Sequence, residues 1–490
     1  FFFGRSMSES PQKPQLSTLT VPRSPSPGGA SASPLSPLKP ITIVPLPHIS
    51  DWLPDIRKYP NPMSEHRNQQ YREETEYILQ YVTGNNDLKL RSRQKLDYDA
   101  ILRAGARREV CFDSAEVNAC IVNTGGLCPG LNSVIEELVR SLVTSYRVKK
   151  VYGIRFGFRG FDPEEYEPMI LTPQNVVNIH LRGGTILGTC RGYFNEDKIL
   201  NFIKTNGVKM VFVIGGDGSH RAANKIHSLC KEQVLDTVVV GIPKTIDNDI
   251  LYFDKTFGFD TAVEEACKVI NCAFTEASSV KNGVGLVKLM GRDSGFVARN
   301  AALSNNVVDA CLIPEIPFVL EGEGGFLPWL DSHLEQNQHA VVVISEAAAQ
   351  QHIPVVGKDA TGHNVYEDTG KWMKKLMETH WKETKSEGKV FLIDPSYMIR
   401  SVPANSGDNM LCIQLAQAAV HTAFSGYSGV TVGRFHDMFG VMPIDLVVDG
   451  HRRVNPKGSI WQTVKARLSF YPGDTIPAHD RPVIDHHHAI

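Results

Sequence analysis

The chain has 490 residues, 42% of them hydrophobic, with 51 Lys and Arg against 53 Asp and Glu for a net charge of −2. That is enough apolar chain for two or three domains with a sizeable core, and it excludes disorder throughout. The near-neutral balance offers no basic field for nucleic acid, and no apolar run approaches the roughly 18 residues of a membrane helix.

Nine cysteines without a CxxC pair read as buried or free thiols in a reducing compartment, the cytosol or an organelle stroma, rather than as a disulfide frame or zinc site. Residues 1–50 stand apart, with Ser24-Pro25-Ser26-Pro27-Gly28-Gly29, further prolines to Pro47 and Glu9 as the one acid. This composition predicts a disordered tail. Its Ser-rich, acid-poor character with Arg5, Lys13, Arg23 and Lys39 also fits an organellar transit peptide, so cytoplasmic and plastid locations both stay open. Phe1 to Ser6 precede Met7, and His486-His487-His488 are read as solvated, without a metal. Residues 51–115, charged and helical in character from Ser64 to Gln80, read as an N-terminal extension that wraps the core or mediates assembly.

From about residue 116 strands and helices alternate, the pattern of a parallel sheet covered on both faces. Asn118 to Asn123 is a predicted strand, followed by the glycine loop Thr124 to Gly130 and a predicted helix from Asn132 to Tyr146. Val134, Leu138, Leu142 and Val143 share one face of that helix. The loop places N–H groups and a helix N-terminus where a phosphate would sit, although it is neither a Walker A loop nor GxGxxG. A second glycine-rich turn, Gly183 to Gly192, ends with Arg191, whose guanidinium can pair with phosphate oxygens in a forked geometry.

The apolar run Val211-Phe212-Val213-Ile214 leads into Gly215-Gly216-Asp217-Gly218-Ser219. A β-branched run suits a strand buried on both faces, the glycines open a turn to an anion, and Asp217 supplies the hard oxygen that Mg²⁺ takes beside phosphates. After the strand-like Thr237 to Ile242 comes Pro243-Lys244-Thr245-Ile246-Asp247-Asn248-Asp249. On an extended segment its two carboxylates point the same way. One can take a proton from an attacking hydroxyl while the other helps hold the metal-bound phosphate, Thr245 can bond a phosphoryl or sugar oxygen, and Lys244 can neutralise charge on the transferred group.

In this order NTGGLCPGLN, GGTILGTCRG, GGDGS, PKTIDNDI, KTFGFDTAVEEA, VKLMGRDSGF and DPSYMIR resemble the motifs of the 6-phosphofructokinases, from about residue 70 to beyond 460. Segments such as RGGTILGT, DTAVEEA and VHTAFSGYSG are similar to the plant-type, ATP-dependent branch. The resemblance implies phosphorylation of fructose 6-phosphate by ATP at the 1-hydroxyl, the committed step of glycolysis. Gly126, Arg191 and Gly192 would contact the nucleotide phosphates; Gly216, Asp217, Gly218 and Ser219 would hold ATP, with Asp217 on Mg²⁺. Asp247 would be the base, with Thr245 and Asp249 beside it. Met290, Gly291 and Arg292 would line the sugar phosphate, with Glu346, Tyr397 and Arg400 completing its site.

Several positions bear on that assignment. In the family a small residue at Gly218 leaves room for a nucleotide, whereas members using pyrophosphate typically carry aspartate there; Lys244, conversely, stands where pyrophosphate enzymes have lysine. The glycine is followed, and the expected donor is ATP. A pyrophosphate-dependent enzyme and a metabolite-binding regulatory subunit stay as alternatives, whereas kinases of NAD or lipids that share GGDG have no reason to carry PKTIDND with MGR. Ala347 follows Glu346 where the family commonly has glycine; if that position needs positive φ, the alanine costs about 1 kcal/mol or more and shifts the glutamate. Gly283 falls where short bacterial enzymes offer an arginine from a neighbouring subunit.

The predicted architecture is α/β, two doubly wound Rossmann-like lobes with the active site in the cleft between them. The nucleotide lobe takes 116–258 and returns at 400–437; the sugar lobe takes 259–399 and 438–490. The resemblance also implies a homo-oligomer, a dimer or tetramer.

Overall fold

Runs of Val, Ile and Leu that are buried on both sides build two sheets in this computed structural model, which describes residues 42–65, 70–79, 98–358 and 364–470. The larger is nine-stranded, in the order Tyr77–Leu79, Ala100–Arg103, Met438–Pro443, Val430–Phe435, Val238–Pro243, Val208–Gly215, Asn118–Asn123, Lys150–Ile154 and Met169–Leu171. From Val430–Phe435 to Lys150–Ile154 its neighbours run parallel, and the strands outside that block pair antiparallel. The smaller is four-stranded and wholly parallel, in the order Ala310–Leu312, His339–Ser345, Gly283–Leu289 and Lys389–Ile393.

Alternation along the strands sends side chains to opposite faces, so each sheet carries two cores. Ile121, Phe212 and Val240 of the large sheet and Val287, Val341 and Val343 of the small one enter a single cluster, filled by the helices Leu131–Arg140, Phe259–Ser278, Phe296–Ser304 and Ser406–Phe424. Their neighbours Cys120, Val122, Val211 and Val213 face the other way, onto the helices Glu196–Thr205 and Asp217–Glu232. The doubly wound α/β arrangement expected from the alternating pattern is therefore present. The first predicted helix runs Leu131–Arg140 and continues as a π-helical turn, Ser141–Ser145. Tyr146 ends that turn, stacked 3.9 Å from Phe424 with its hydroxyl 2.8 Å from His421 Nδ1.

Three boundaries differ from expectation. Residues 42–50, grouped with a disordered tail, lie against the protein: Val44 and Ile49 are buried, Val44 N–H donates to Ala100 O at 3.0 Å, and Ile49 N–H donates to Gly426 O at 2.8 Å. Two apolar side chains and the paired backbone outweigh the surrounding prolines. The predicted helical stretch from Ser64 holds a 3₁₀ turn, Pro62–Glu65, and an edge strand, Tyr77–Leu79; its charges are not spaced over a helical apolar stripe. Met438–Pro443 pairs with Val430–Phe435 in the large sheet, so this sheet keeps the chain beyond residue 437 because the turn between the strands is too short to cross to the other sheet. The predicted tail up to Ile41 and His486–His488 fall outside the described residues.

Candidate active site

The C-terminal ends of six parallel strands, three from each sheet, supply the sequence-predicted site residues other than Arg191 and Gly192, which stand on the turn before the helix Glu196–Thr205. Asn123 leads to Gly126, Gly215 to Asp217, Pro243 to Lys244, Leu289 to Arg292, Ser345 to Glu346, and Ile393 to Arg400. Residues far apart in sequence converge here because every parallel strand of a sheet points its carboxyl end the same way.

The two glycine turns are zipped together. Gly125 N–H donates to Cys190 O at 3.0 Å, Thr124 Oγ1 to Cys190 O at 2.8 Å, and Thr189 Oγ1 to Gly125 O at 2.7 Å. This brings Arg191 over Gly126 so closely that a Cβ on Gly126 would lie 2.8 Å from Arg191 Nη2 and 3.7 Å from Arg400 Nη1. Lys244 is buried and donates to Gly126 O at 2.7 Å; desolvation lowers the pKa of its ammonium, and Arg191 and Arg400 push the same way. A cavity of about 350 Å³ opens at this point, lined by Gly125, Gly126, Cys190, Arg191, Tyr397 and Arg400 among others. Two guanidiniums line this cavity beside the glycines, with the Lys244 ammonium behind Gly126, a set of donors of the kind phosphate oxygens accept from. Gly192, also assigned here, takes φ 71° and has open space around it.

Asp217 opens the helix Asp217–Glu232 behind Gly216 as N-cap. Ser219 is buried beneath the turn, and a Cβ on Gly218 would meet nothing within 4 Å. Burial raises the Asp217 carboxyl to about 6, with Asp249 and Asp293 adding repulsion against the opposing His451 and Arg221.

The catalytic candidates sit on a turn rather than on the extended segment predicted. Asn248 takes φ 56°, a left-handed conformation that asparagine tolerates, and its Oδ1 accepts from Thr256 N at 3.0 Å. Thr245 Oγ1 donates to Asp249 Oδ1 at 3.0 Å and accepts from Asp247 N at 3.2 Å. The two carboxylates meet different neighbours: Asp249 faces His451 and Asp217, while Asp247 faces Glu346 and Arg292. Asp247 Oδ1 is buried without a partner, and burial, reinforced by Asp249 and Glu346, pushes the carboxyl up to about 8 against the pull of the Arg292 backbone and guanidinium.

On the small-sheet side Gly291 takes φ 140°, and a Cβ there would lie 2.2 Å from Ser294 O. Met290 is buried and belongs to the central core, while Arg292 is exposed. Glu346 has a raised pKa, first through desolvation, moderated by Lys288, Arg292 and Arg400. Ala347 is absent from the positive-φ positions and its neighbour's N–H donates to Leu289 O at 2.9 Å, so the feared displacement of Glu346 has no backbone cause. Tyr397 points its ring to solvent, 78% exposed, with Arg400 stacked 4.9 Å from its centroid. Gly283 is tightly enclosed, its Cβ position 2.1 Å from Ala277 O, which leaves no room for any side chain there.

Sequence reasoning missed His451. Its Nδ1 lies 3.2 Å from Asp217 Oδ2 and 3.4 Å from Asp249 Oδ2. The segment after Ile444–Val447 delivers it, pairing His451 with Ile250 and sending Arg452 N–H to Asp249 O at 2.6 Å. No motif marks it. Asp293, one residue past the predicted Arg292, adds negative charge to the same cluster.

Among the described residues no group of three or more His, Cys, Asp and Glu is arranged to hold a metal alone. The converging carboxylates of Asp217 and Asp249 beside a glycine turn do fit Mg²⁺, which takes one or two carboxylates and fills its octahedron with phosphate oxygens and water.

Fold and site together define an α/β phosphotransferase with its cleft at the strand carboxyl ends. The phosphofructokinase family model matches residues 118–423. "ATP-dependent 6-phosphofructokinase 4, chloroplastic" of Arabidopsis thaliana is 43% identical over 438 residues, 88% of this chain and 82% of that protein. The ATP-dependent 6-phosphofructokinase of Borreliella burgdorferi is 41% identical over 400 residues, covering 78% and 89%. Among solved structures, the pyrophosphate-dependent phosphofructokinase of Marinobacter aquaeolei superposes with a TM-score of 0.58 at 20% identity, covering 74% of this chain and 95% of that one. The chain belongs to the phosphofructokinase family.

Proposed function

We propose that the chain is an ATP-dependent 6-phosphofructokinase, converting fructose 6-phosphate and ATP to fructose 1,6-bisphosphate and ADP. The observation that carries this is the unpartnered, buried Oδ1 of Asp247 with its carboxyl raised to about 8, within electrostatic reach of Lys244 behind Gly126 and of Arg292 and Glu346. A carboxylate so poised can accept a proton from a primary alcohol as its oxygen attacks phosphorus.

In this reading Gly126, Arg191, Gly192 and the turn from Gly216 to Ser219 receive the ATP phosphates. Gly218 leaves the nucleotide room. Met290, Gly291, Arg292, Glu346, Tyr397 and Arg400 hold fructose 6-phosphate with its 1-hydroxyl at Asp247. Thr245 fixes Asp249 and the turn, while Lys244 and Arg292 offset the charge that builds on the moving phosphoryl group. Asp217 would hold Mg²⁺, which would supply charge neutralisation to the phosphates when bound. The enzyme works as a homo-oligomer, dimer or tetramer, by likeness to its family. Its place is the cytoplasm, or a plastid if residues 1–50 act as a transit segment, as the chloroplastic relatives suggest.

The test is coupled formation of fructose 1,6-bisphosphate with Mg²⁺ and either ATP or pyrophosphate, with Asp247→Ala as control. Turnover with ATP that disappears in the variant supports the proposal. Turnover with pyrophosphate alone transfers the donor choice to Lys244, and turnover with neither donor favours a regulatory subunit.

A further inference from the structure

Lys288 is an outlier in its strand. Gly283–Leu289 is buried at every position and otherwise apolar or glycine, yet Lys288 stands near its end with a side chain only 10% exposed. The stem runs beside Gly370, where a Cβ would come within 3.3 Å of Lys288 Cδ. The ammonium ends between two carboxylates, 2.5 Å from Asp368 Oδ2 and 2.6 Å from Asp394 Oδ2. These acids pull its pKa upward against the opposing effect of burial, so the group is held as a cation.

Each carboxylate continues into the sugar side. Asp394 accepts from Ser396 N at 3.1 Å and Ser396 Oγ at 2.6 Å, opening the short helix Ser396–Arg400; Arg400 Nε donates back to Ser396 O at 3.2 Å. Asp368 caps the helix Thr369–Thr384 by accepting from Lys371 N at 2.8 Å, and the next residue, Thr369, donates its hydroxyl to Glu346 O. One ammonium thus ties the turn that carries Arg400 to the strand end that carries Glu346. A buried ion triad is a poor way to gain stability, since a well-packed apolar side chain is often as good; what it supplies is a fixed geometry.

We propose that Lys288 is a positioning residue for sugar-phosphate binding, setting the spacing of Arg400 and Glu346 through Asp394 and Asp368. This rests on the function proposed above, with those two residues on the fructose 6-phosphate side.

The experiment compares wild type, Lys288→Met, Asp394→Asn and the double variant by steady-state kinetics, and by calorimetric titration with fructose 6-phosphate. Lys288→Met is expected to raise KM and Kd for fructose 6-phosphate about 10-fold or more while KM for ATP moves less than about 2-fold. Asp394→Asn, changed from the solvent side, is expected to reproduce much of the effect, and the double variant to fall short of the product of the two. Unchanged sugar affinity in both single variants overturns the proposal, as does an equal rise in both KM values with a lowered unfolding temperature, the mark of general structural damage. A wild type that binds no fructose 6-phosphate refutes the functional reading and this inference with it; one that binds the sugar but shows no Lys288 or Asp394 effect refutes the inference alone.

Discussion

His451 Nδ1 stands 3.2 Å from Asp217 Oδ2, so the carboxylate assigned to Mg²⁺ already has an ion-pair partner, once the ring is protonated, from a distant part of the chain. The same ring reaches Asp249 at 3.4 Å and separates two like charges. Removing it leaves the pair facing each other with neither donor nor metal. His451→Ala is expected to lower the unfolding temperature in Mg²⁺-free buffer by a few degrees, with a smaller loss once Mg²⁺ and ATP are saturating. The variant's KM for Mg·ATP should rise about 3- to 10-fold. Thermal melts with and without Mg·ATP check this, and equal losses in both would show that the ring merely packs.

Gly126 has no side chain because Arg191 lies over it. A methyl group there would sit 2.8 Å from the far end of that flexible arginine rather than against backbone, so the fold accepts Gly126→Ala while the guanidinium is displaced. The expected outcome is an unchanged melting temperature and a KM for ATP raised about 10-fold. A variant with wild-type nucleotide kinetics would remove Arg191 from the phosphate site.

Gly218 tests donor choice. Its Cβ position is open, and it is the second residue of Asp217–Glu232, where an added carboxylate suits the helix dipole. Gly218→Asp should therefore fold at least as well as the wild type, yet place negative charge where ATP phosphates would enter. We expect kcat/KM for ATP to fall about 100-fold, measured beside pyrophosphate in the same coupled assay. Retained ATP turnover would show that room at residue 218 does not select the nucleotide.

The contiguous parts of the site were legible because each follows a recognisable apolar strand: Gly126 after Asn118–Asn123, Asp217 after Val208–Gly215, Lys244 after Val238–Pro243. What escaped notice depends on pairings between distant segments. His451 acquires its role from a bridge to Ile250, and Lys288 from carboxylates at 368 and 394. Neither has a local signature. The extended segment expected across Asp247 and Asp249 is instead a bend, set by a left-handed Asn248 and by the Thr245 hydroxyl, which holds the Asp249 carboxylate and the Asp247 backbone. Proline content misled at residues 42–50, where the alternation of Val44 with distant partners such as Ala100 outweighs composition.

Asp247 couples catalysis to stability with opposite signs. Its folded-state carboxyl, about 8, lies above the ordinary 3.8, so between those values the native protein keeps a proton that the unfolded chain has released. Stability from this group is therefore fully present below the unfolded value and declines as pH rises toward 8. Activity runs the other way, because only the ionised carboxylate can accept the sugar proton, and kcat/KM should climb through the same range on its acid limb. Asp247→Asn removes both effects. Turnover is expected to fall about 1,000-fold or more, while the variant's melting temperature gains on the wild type progressively from pH 5 to pH 8, by the linkage just described. Paired melts across that range, beside the pH-rate profile, check the two signs together; a constant difference in melting temperature would mean that Asp247 ionises normally in the folded protein, and an active asparagine variant would mean that the proton is taken elsewhere.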